Sequence, residues 1–307
     1  MFTKILFATT ASPACDNAAK VAFDLETKWE SKLIVFHAVG IPTRGFSPPF
    51  VKDVRTGEYV QHDTDYFEWV KEEMKNTYDT LLKTSTDVEL DVKVGVPHTE
   101  ILRKARKEDV DLIIMGSHTR QEDPGATRFR SVAGTTMHKV AKSARCPVVI
   151  ISRPCNTCWK LFSNIVFGTD FSKASLSAFH FAHKLAKEVG AKLHMFHALD
   201  VGTGHSGNVI GQEQIENMIK DAQNKIDQKY VKKLNGYDNY DSEVREGIPY
   251  VEILKFARER QADLVVMAHH TRETDPEEAE LGSTVEQVVL RAACPVASVN
   301  HPDKVVE

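Results

Sequence analysis

The amino-acid sequence predicts an α/β protein with two tandem doubly wound domains, each a five-stranded parallel sheet with helices on both faces. Three observations lead to this fold class. The chain has 307 residues, it repeats itself, and each repeat alternates apolar runs with amphipathic stretches. This length allows two domains that each bury a core. The apolar fraction of 42% and the charged fraction of 27% are typical of globular proteins.

The internal repeat consists of six matches that occur in the same order in both halves. The first two pair ILFATTAS (5–12) with IVFGTDFS (165–172), and FHAV (36–39) with FHAL (196–199). The others pair GVPHTEIL (95–102) with GIPYVEIL (247–254), DLIIM (111–115) with DLVVM (263–267), HTRQEDP (118–124) with HTRETDP (270–276), and ARCPVVII (144–151) with AACPVASV (292–299). Chance does not give six ordered matches, so the sequence contains a duplicated domain.

The elements of each copy follow from periodicity. Short β-branched runs bounded by turn residues predict buried parallel strands. In copy one these are Ile5–Ala8, Leu33–His37, Val88–Val94, Leu112–Met115 and Val148–Ile151. Intervening stretches show an apolar helix face. The predicted face of the first helix is Val21, Ala22, Leu25 and Trp29, or Phe181, Ala182, Leu185 and Val189 in copy two. That of the second is Phe67, Val70, Met74 and Leu81, or Ile215, Met218, Ala222 and Ile226.

This alternation predicts βαβ units with right-handed crossovers, hence one doubly wound sheet per copy. The segment between the copies breaks both periodicities and contains a Cys-x-x-Cys pair. We therefore predict domain 1 over residues 1–152, a linker over 153–162 and domain 2 over 163–303. The final strand of each copy is expected to be a sheet edge. The two edges could pair within one chain as a pseudo-dimer, and a further homodimer stays an open alternative.

Composition excludes several classes of function. A formal charge of -4 provides no field that favours nucleic acid. The apolar runs fall short of the roughly 18 residues of a membrane span, and the first twelve residues predict a strand rather than a signal peptide. Five cysteines without framework spacing are typical of a reducing compartment. We therefore expect a cytoplasmic protein that binds neither nucleic acid nor membrane.

The candidate binding residues follow from the fold class, because ligands of doubly wound sheets bind beyond the carboxyl ends of the strands. The candidates of copy one are Thr10, Gly116, Gly134 and Thr135; those of copy two are Thr169, Asp170, Met267, Ala268, Gly282, Ser283 and Thr284. Small and hydroxyl residues at a helix N-terminus leave N–H groups that suit a phosphate. The same residues also serve as ordinary helix caps, and both interpretations stay open.

These motifs, in this order, resemble the universal stress protein family. IVFGTDFS, DLVVM, the Gly-Ser-Thr of the last helix and the Cys-Pro-Val before the last strand carry the resemblance, which covers nearly the whole chain twice. It implies a sheet order of 3-2-1-4-5 and, as in many members, ATP binding with Mg²⁺ through a G-x-x-G, spacer, G-[S/T] loop. It further implies Asp170 near the ribose and phosphates, Ala198 and Leu199 near the adenine, and Gly282, Ser283 and Thr284 on phosphate oxygens.

Both copies depart from the family's pattern. Thr10 replaces the aspartate in copy one, and Ala268 replaces the first loop glycine in copy two. Thr119 and Thr271 replace the second glycine in the two copies, and side chains there crowd a backbone that must approach phosphates. The sequence therefore predicts a degenerate site in domain 1 and a better preserved nucleotide site in domain 2.

The HTRxxDP segments are a second candidate for anion contact. His270, Thr271 and Arg272 could face an anion in the cleft, since an arginine fork matches phosphate or carboxylate. The alternative is a loop in which Arg272 pairs with Asp275, and we favour this alternative. Recurrence at 118–124 does not decide between them, because duplication copies both kinds of residue.

The cysteines and histidines give little indication of a metal-binding or catalytic site. Cys155 and Cys158 are the candidate metal ligands, but zinc is not expected without a second pair, which only a dimer could supply. Cys146 and Cys294 are predicted to be buried. His37 and His197, which end the second strand, are predicted to be satisfied near the core, with contact to the cleft as the alternative. His180 and His183 lie opposite the apolar face of their helix and are predicted to be solvated.

The leading functional hypothesis is a non-catalytic stress-response protein that binds an ATP-like nucleotide or another small anion in domain 2 and acts through partner proteins. The alternatives are a scaffold whose degenerate clefts bind nothing, or an enzyme that hydrolyses ATP. The sequence has no Ser-Gly-Gly-x-Asp-Ser loop, no P-loop and no Ser-His-Asp arrangement. No catalytic residue is therefore predicted, although weak ATP hydrolysis is left open.

Overall fold

The computed structural model describes residues 1–40, 50–52, 59–61, 64–117, 135–152, 162–201, 211–268, 283–301 and 305. The chain divides into two units, Met1–Ile151 and Ser152–Glu307, called domain 1 and domain 2 below. Cys155 and Cys158 lie outside the described residues. None of the helices within the described ranges is long and apolar enough to cross a bilayer.

Domain 1 begins with strand β1 (Lys4–Ala8), a 3-10 turn (Pro13–Cys15), helix α1 (Asp16–Trp29) and strand β2 (Lys32–Gly40). An antiparallel hairpin of β3 (Phe50–Lys52) and β4 (Tyr59–Gln61) follows, which periodicity did not predict. The remaining elements are α2 (Thr64–Leu82), β5 (Val88–Gly95), α3 (Pro97–Glu108), β6 (Leu112–Gly116), α4 (Thr135–Ser143) and β7 (Val148–Ile151). The main sheet is parallel, in the order β5-β2-β1-β6-β7.

Domain 2 repeats this plan without a corresponding hairpin among its described residues. Its elements are β8 (Asn164–Gly168), α5 (Lys173–Val189), β9 (Lys192–Leu199), α6 (Gln212–Lys229), a 3-10 turn (Val231–Lys233), β10 (Tyr240–Glu246), α7 (Pro249–Glu259), β11 (Leu264–Met267), α8 (Ser283–Arg291) and β12 (Val296–Ser298). The order β10-β9-β8-β11-β12 is again parallel. The predicted 3-2-1-4-5 order is confirmed in both domains.

The central strands are buried on both faces because helices cover each sheet twice. Ile5, Leu6 and Phe7 of β1 are all fully buried although consecutive side chains point to opposite faces. Helices α1 and α2 contact each other, as do α3 and α4, and the same pairing places α7 against α8. The strand order reverses between β1 and β6 in domain 1, and between β8 and β11 in domain 2. The carboxyl ends of these strands define the place to look for a site.

The second helix of each domain differs from its predicted apolar face. Val70 and Met74 are buried as predicted. Phe67 and Leu81 are only half-buried, and Tyr78 is buried instead at 2% exposure. In domain 2, Ala222 and Ile226 are buried, Ile215 and Met218 are half-buried, and Tyr230 is 1% exposed. The tyrosines occupy the core because their hydroxyl groups find partners beneath the cleft, as described next.

Candidate functional site

The candidate site of domain 2 lies where β8 and β11 end side by side. Gly168, the last residue of β8, is in register with Met267 of β11 on one side and Phe196 of β9 on the other. Thr169 continues beside β9, since its N–H donates to the Phe196 carbonyl at 2.9 Å. The structure therefore brings the predicted residues Thr169 and Asp170 to the same sheet edge as Met267.

Asp170 is exposed at the N-terminus of α5, and its carboxylate is oriented by that helix. Its Oδ1 accepts hydrogen bonds from the Ser172 N–H at 2.9 Å and from the Ser175 hydroxyl at 2.5 Å. Ser172 caps α5, since its Oγ accepts from the Ser175 N–H at 3.2 Å. A carboxylate at this end of a helix is favoured by the unpaired N–H groups and the helix dipole. The side chain is thus held at the rim of the cleft.

Phe171 supports the turn between β8 and α5. Its φ of +62° lies in the left-handed region, which costs a non-glycine residue free energy. Its ring lies 4.4 Å from the His197 ring and stacks at 6.3 Å on Tyr230. The ammonium groups of Lys225 and Lys229 lie 5.9 and 5.8 Å from the Phe171 ring centroid, and Lys229 Nζ donates to the Phe171 carbonyl at 2.8 Å. Two positive charges therefore stand beside the turn that carries Asp170.

Thr169 is the centre of the hydrogen bonds below the turn. Its Oγ1 accepts from the Phe171 N–H at 2.9 Å and is paired with the Tyr230 hydroxyl at 2.6 Å. Its carbonyl oxygen lies 2.7 Å from His197 Nδ1, so that nitrogen carries the proton. Burial raises the pKa of Tyr230 to about 12. Burial also lowers the pKa of His197, against the opposing effects of Thr169 and Asp170, so the ring is neutral at pH 7.

Domain 1 contains the same hydrogen bonds at the corresponding positions. Thr9 Oγ1 is paired with the Tyr78 hydroxyl at 2.6 Å and accepts from the Ala11 N–H at 2.9 Å. The Thr9 carbonyl lies 2.8 Å from His37 Nδ1. The prediction that His37 and His197 are satisfied near the core is therefore confirmed. This set of contacts, the threonine base, is common to both domains.

The side chains around the threonine base differ between the domains. Ala11 stands where domain 2 has Phe171, and Thr10 bonds the Ser12 hydroxyl at 2.8 Å in place of the Asp170 contacts. Counting back from the paired tyrosines, Glu73 and Thr77 occupy the positions of Lys225 and Lys229. Domain 1 thus lacks the carboxylate, the aromatic ring and both ammonium groups at these positions.

Packing within domain 1 accounts for Gly116, which the sequence assigned to a phosphate loop. A Cβ at Gly116 would lie 3.0 Å from the Ala14 carbonyl oxygen and 3.5 Å from Cys15 Sγ. The 3-10 turn before α1 therefore lies against the end of β6. The corresponding position in domain 2 is Ala268, which carries a Cβ and is 9% exposed.

Some of the remaining candidate residues lie within the described part of the chain and others lie outside it. Ala198 and Leu199 end β9, in register with Arg245 and Glu246. Thr135 and Ser283 are the first residues of α4 and α8, and Thr284 is half-buried. Gly134, Gly282, His270, Thr271 and Arg272 lie outside the described residues, so their contacts with a ligand stay predictions.

The histidines of α5 and the cysteines before the last strands lie apart from the site. The prediction that His183 is solvated is wrong, because its ring stacks on Phe179 at 5.7 Å and meets the Tyr237 edge, and burial lowers its pKa. His180 is likewise half-buried. Cys146 and Cys294 are buried as predicted, and burial raises the pKa of Cys294 to about 12. Within the described ranges no group of three or more His, Cys, Asp or Glu side chains is arranged to hold a metal.

Sequence reasoning missed four residues near the turn: Phe171, Lys225, Lys229 and Tyr230. A signal existed for Tyr230, because Tyr78 and Tyr230 hold the same place at the end of the second helix in both copies. The two lysines carried no such signal, since they come from a different helix and lie more than fifty residues after Phe171.

Comparisons with known proteins bear on the whole chain. A sequence profile described as the universal stress protein family matches residues 1–152 and 161–300. A universal stress protein of Methanocaldococcus jannaschii is 34% identical over 146 residues, covering 47% of this chain and 85% of that protein. A second from the same organism is 29% identical over 162 residues, covering 50% of this chain and 96% of that protein. The crystal structure of a universal stress protein from Archaeoglobus fulgidus has the same fold, with a TM-score of 0.65, 19% identity, and coverage of 97% of this chain and 98% of the other.

Proposed function

The chain belongs to the universal stress protein family, and we propose that it is a non-catalytic stress-response protein that binds a small anionic ligand, an ATP-like nucleotide, in domain 2. The observation that carries this proposal is the difference around the threonine base. Domain 2 surrounds it with Asp170, Phe171, Lys225 and Lys229, whereas domain 1 has neutral or acidic residues at those positions. A nucleotide needs hydroxyl acceptors and compensation of its phosphate charge, and these groups provide both.

Asp170 is suited to the ribose end of such a ligand. Its carboxylate is exposed at the rim while Oδ1 is held by Ser172 and Ser175, so its orientation is fixed before a ligand arrives. Carboxylate oxygens accept hydrogen bonds from ribose hydroxyl groups and can hold Mg²⁺ together with phosphate oxygens. Asp170 is the residue that we propose for both contacts, and Mg²⁺ would add positive charge beside the phosphates.

The phosphate end would lie toward the first turn of α8. Ser283 opens this helix, whose first N–H groups have no partners within the helix. Ala198 and Leu199 at the end of β9 remain our proposed contacts for the base, as do Gly282, Ser283 and Thr284 for the phosphates. Lys225 and Lys229 would raise the local concentration of an anion at the rim.

For domain 1 we propose a scaffold role without nucleotide. The close approach of the Ala14 carbonyl to Gly116 supports this proposal, because it places backbone where the loop would receive phosphates. Thr10 offers a neutral hydroxyl, and the position of Lys225 is taken by Glu73, which would repel an anion. One nucleotide per chain is the expected stoichiometry.

The test is calorimetric titration with ATP and Mg²⁺, accompanied by thermal unfolding. We expect one site, and stabilisation by about 2.7 kcal/mol when ATP exceeds its Kd a hundredfold. Asp170→Thr, which installs the domain 1 residue, should abolish both signals. The matched control Thr10→Val alters the equivalent position in domain 1 and should leave them unchanged.

Three outcomes would count against the proposal. Absence of binding at millimolar ATP would favour a scaffold in both domains. Equal binding by Asp170→Thr would move the site away from the β8–α5 turn. Steady release of phosphate, abolished by the same substitution, would make the protein an ATP-hydrolysing enzyme.

A further inference from the structure

The outward face of α2 carries an exposed tryptophan. Trp69 and Ile248 are the large apolar side chains that stand out as exposed in the described part of the chain, at 44% and 56%. Glu68 and Glu72 flank Trp69, and their side chains are 74% and 62% exposed. These three residues lie opposite the buried Val70 and Met74 face, as helical spacing requires. We call Glu68, Trp69 and Glu72 the α2 patch.

The chemistry of the α2 patch favours a cationic partner. An indole ring is the best aromatic acceptor for an ammonium group, and tryptophan is enriched among residues that dominate binding at protein interfaces. The Trp69 ring lies 5.9 Å from the buried Tyr66, which supports it from below. Glu68 and Glu72 already pair with Lys71 and Lys75 of the same helix at 3.2 and 3.1 Å. Exposed pairs of this kind are weak, so the carboxylates can exchange partners.

Domain 2 carries a matching cationic surface at the end of α6. Lys225, Lys229, Lys232 and Lys233 are all exposed, and we call them the lysine ridge. Lys225 and Lys229 stand side by side over the Phe171 ring, and the 3-10 turn that follows α6 carries the other two.

Each surface belongs to one domain alone. Domain 1 has Glu73, Thr77, Thr80 and Leu81 at the positions of the lysine ridge. Domain 2 has Lys220, Asp221 and Asn224 at the positions of the α2 patch, and therefore no aromatic ring there. Duplication thus produced one acidic aromatic surface and one basic surface within the same chain.

We propose that the α2 patch of one molecule docks on the lysine ridge of a second copy of this chain. Opposite charge and the ammonium preference of Trp69 identify this occupant, which is present at the same concentration as the patch itself. Such a contact joins two different surfaces, so each molecule can dock on further copies and association grows with concentration. It requires no nucleotide, so its test does not depend on the function proposed above, although Lys225 and Lys229 belong to both surfaces.

The first test is sedimentation velocity of the full chain without nucleotide at 50 and 500 mM NaCl. We expect the weight-average sedimentation coefficient to rise with concentration at 50 mM and to stay constant at 500 mM, because salt screens exposed charges. Trp69→Ala should weaken association at least about tenfold. The matched control Ile248→Ala removes the other exposed apolar side chain and should change nothing.

A charge exchange tests the identity of the two surfaces. The double variants Glu68→Lys/Glu72→Lys and Lys232→Glu/Lys233→Glu each break one side and should sediment as monomers at 50 mM NaCl. Their equimolar mixture restores two complementary contacts, the unaltered patch with the unaltered ridge and the reversed patch with the reversed ridge, and should associate again at 50 mM NaCl. Lys225 and Lys229 are left intact, so ATP titration of the same variants reports separately on the nucleotide site.

Several results would overturn the docking proposal. They are a single monomeric species at 50 mM NaCl at all concentrations, association that Trp69→Ala leaves unchanged, and a mixture of charge variants without a complex. Thermal unfolding of each variant verifies the fold, and because every changed side chain is exposed, melting temperatures close to wild type are expected.

Discussion

Domain 1 and domain 2 share the contacts beneath the cleft and differ in the residues around it. In both, a threonine after the first strand bonds a tyrosine hydroxyl at 2.6 Å and a histidine of the second strand. Above this threonine base, Ala11 and Thr10 of domain 1 correspond to Phe171 and Asp170 of domain 2. The contacts that couple three elements have been kept because losing one leaves a buried polar group unpaired, whereas rim residues could change without that cost.

The domains also differ in the charged residues beside β5 of domain 1 and β10 of domain 2. In domain 1, Lys104 Nζ lies 3.0 Å from carboxylate oxygens of both Glu89 and Asp91 and 3.2 Å from one of Glu108, and the hydrogen bonds that it donates to these acids outweigh burial and raise its pKa. In domain 2, Phe256 replaces that lysine, and its ring lies 5.3 and 5.0 Å from Arg245 and Arg260. One half-buried cation among acids in domain 1 corresponds to an aromatic ring between two cations in domain 2. Helix packing against the sheet therefore tolerates either solution.

The largest expected difference between the domains concerns Glu26, which is fully buried in α1. Its Oε1 accepts from the Thr86 N–H at 3.0 Å, the Thr86 hydroxyl at 2.9 Å and the Asp87 N–H at 3.2 Å. Domain 2 has Ala186 at this position, and the Tyr237 hydroxyl bonds its carbonyl instead. Glu26→Ala should destabilise domain 1 by about 3 kcal/mol, because several donors lose their acceptor. Hydrogen exchange of peptides from each domain would show the loss confined to domain 1.

The outcome that would contradict this prediction is equal protection in the variant and the wild type. A matched control is Glu30→Ala, which removes an exposed carboxylate just beyond the same helix and should leave protection unchanged.

The threonine base predicts a smaller and equal effect in the two domains. Tyr78→Phe and Tyr230→Phe each remove one buried hydroxyl and should destabilise their own domain by about 1.5 kcal/mol. Urea unfolding followed by domain-resolved hydrogen exchange measures both. If Tyr230→Phe cost much more than Tyr78→Phe, the two bases would not be equivalent, and the rim of domain 2 would have to contribute to the difference.

A substitution at Gly116 tests whether this glycine is required for packing or for contact with a ligand. Gly116→Ala should destabilise domain 1 by about 1 kcal/mol, since the new Cβ would meet the Ala14 carbonyl at 3.0 Å. ATP binding should be unaffected, because the proposed site lies in domain 2. Unchanged stability together with weaker ATP binding would instead support a role of Gly116 in a phosphate-binding loop.

The smallest effect at neutral pH concerns His194, which is 3% exposed where domain 1 has Ile34. Its Nδ1 lies 2.7 Å from Asp241 and its Nε2 lies 3.3 Å from Asn164, with Lys192, Arg260 and Phe256 also facing it. Burial lowers the pKa of His194 in spite of Asp241. The unfolded chain therefore binds a proton at a higher pH than the folded chain does. As a result, the free energy of unfolding falls as the pH drops below about 6.5.

The measurement is the free energy of unfolding of wild type and His194→Ile between pH 7 and pH 5. We expect the variant to lose less stability over this range. Glu26 acts at lower pH, because the hydrogen bonds from Thr86, Asp87 and Thr27 outweigh burial and lower its pKa. Its contribution is present above the ordinary glutamate pKa and is lost as pH falls through the folded value. Parallel acid profiles for wild type and His194→Ile would refute the role of His194.

Much of the fold could be predicted from the sequence, for reasons visible in particular elements. The five strands of each sheet were predicted because β-branched runs mark strands buried on both faces. The hairpin of β3 and β4 was not, since three-residue strands carry too few residues to show a period. Phe67 and Leu81 were placed in the core by spacing alone, but the path of α2 buries Tyr78 instead.

The site could be predicted only in part. Asp170 could be named as a candidate because its place after the first strand is set by chain connectivity. Lys225 and Lys229 were missed because they contact the turn only through the tertiary structure. No local sequence pattern indicates such a contact between residues far apart in the chain. The packing role of Gly116 could not be predicted, because the sequence does not show that a Cβ there would lie 3.0 Å from the Ala14 carbonyl oxygen.

The bond between Thr169 and Tyr230 also has a consequence for the order of folding. It joins residues 61 positions apart, and its counterpart in domain 1 joins residues 69 apart. The turn that presents Asp170 therefore cannot acquire its final shape until α6 has been synthesised and has docked on the sheet. Contacts of long sequence separation form late, since the entropy of closing the intervening chain must be overcome first. During synthesis, the ability to bind a ligand should thus arise after most of the core of domain 2 is in place.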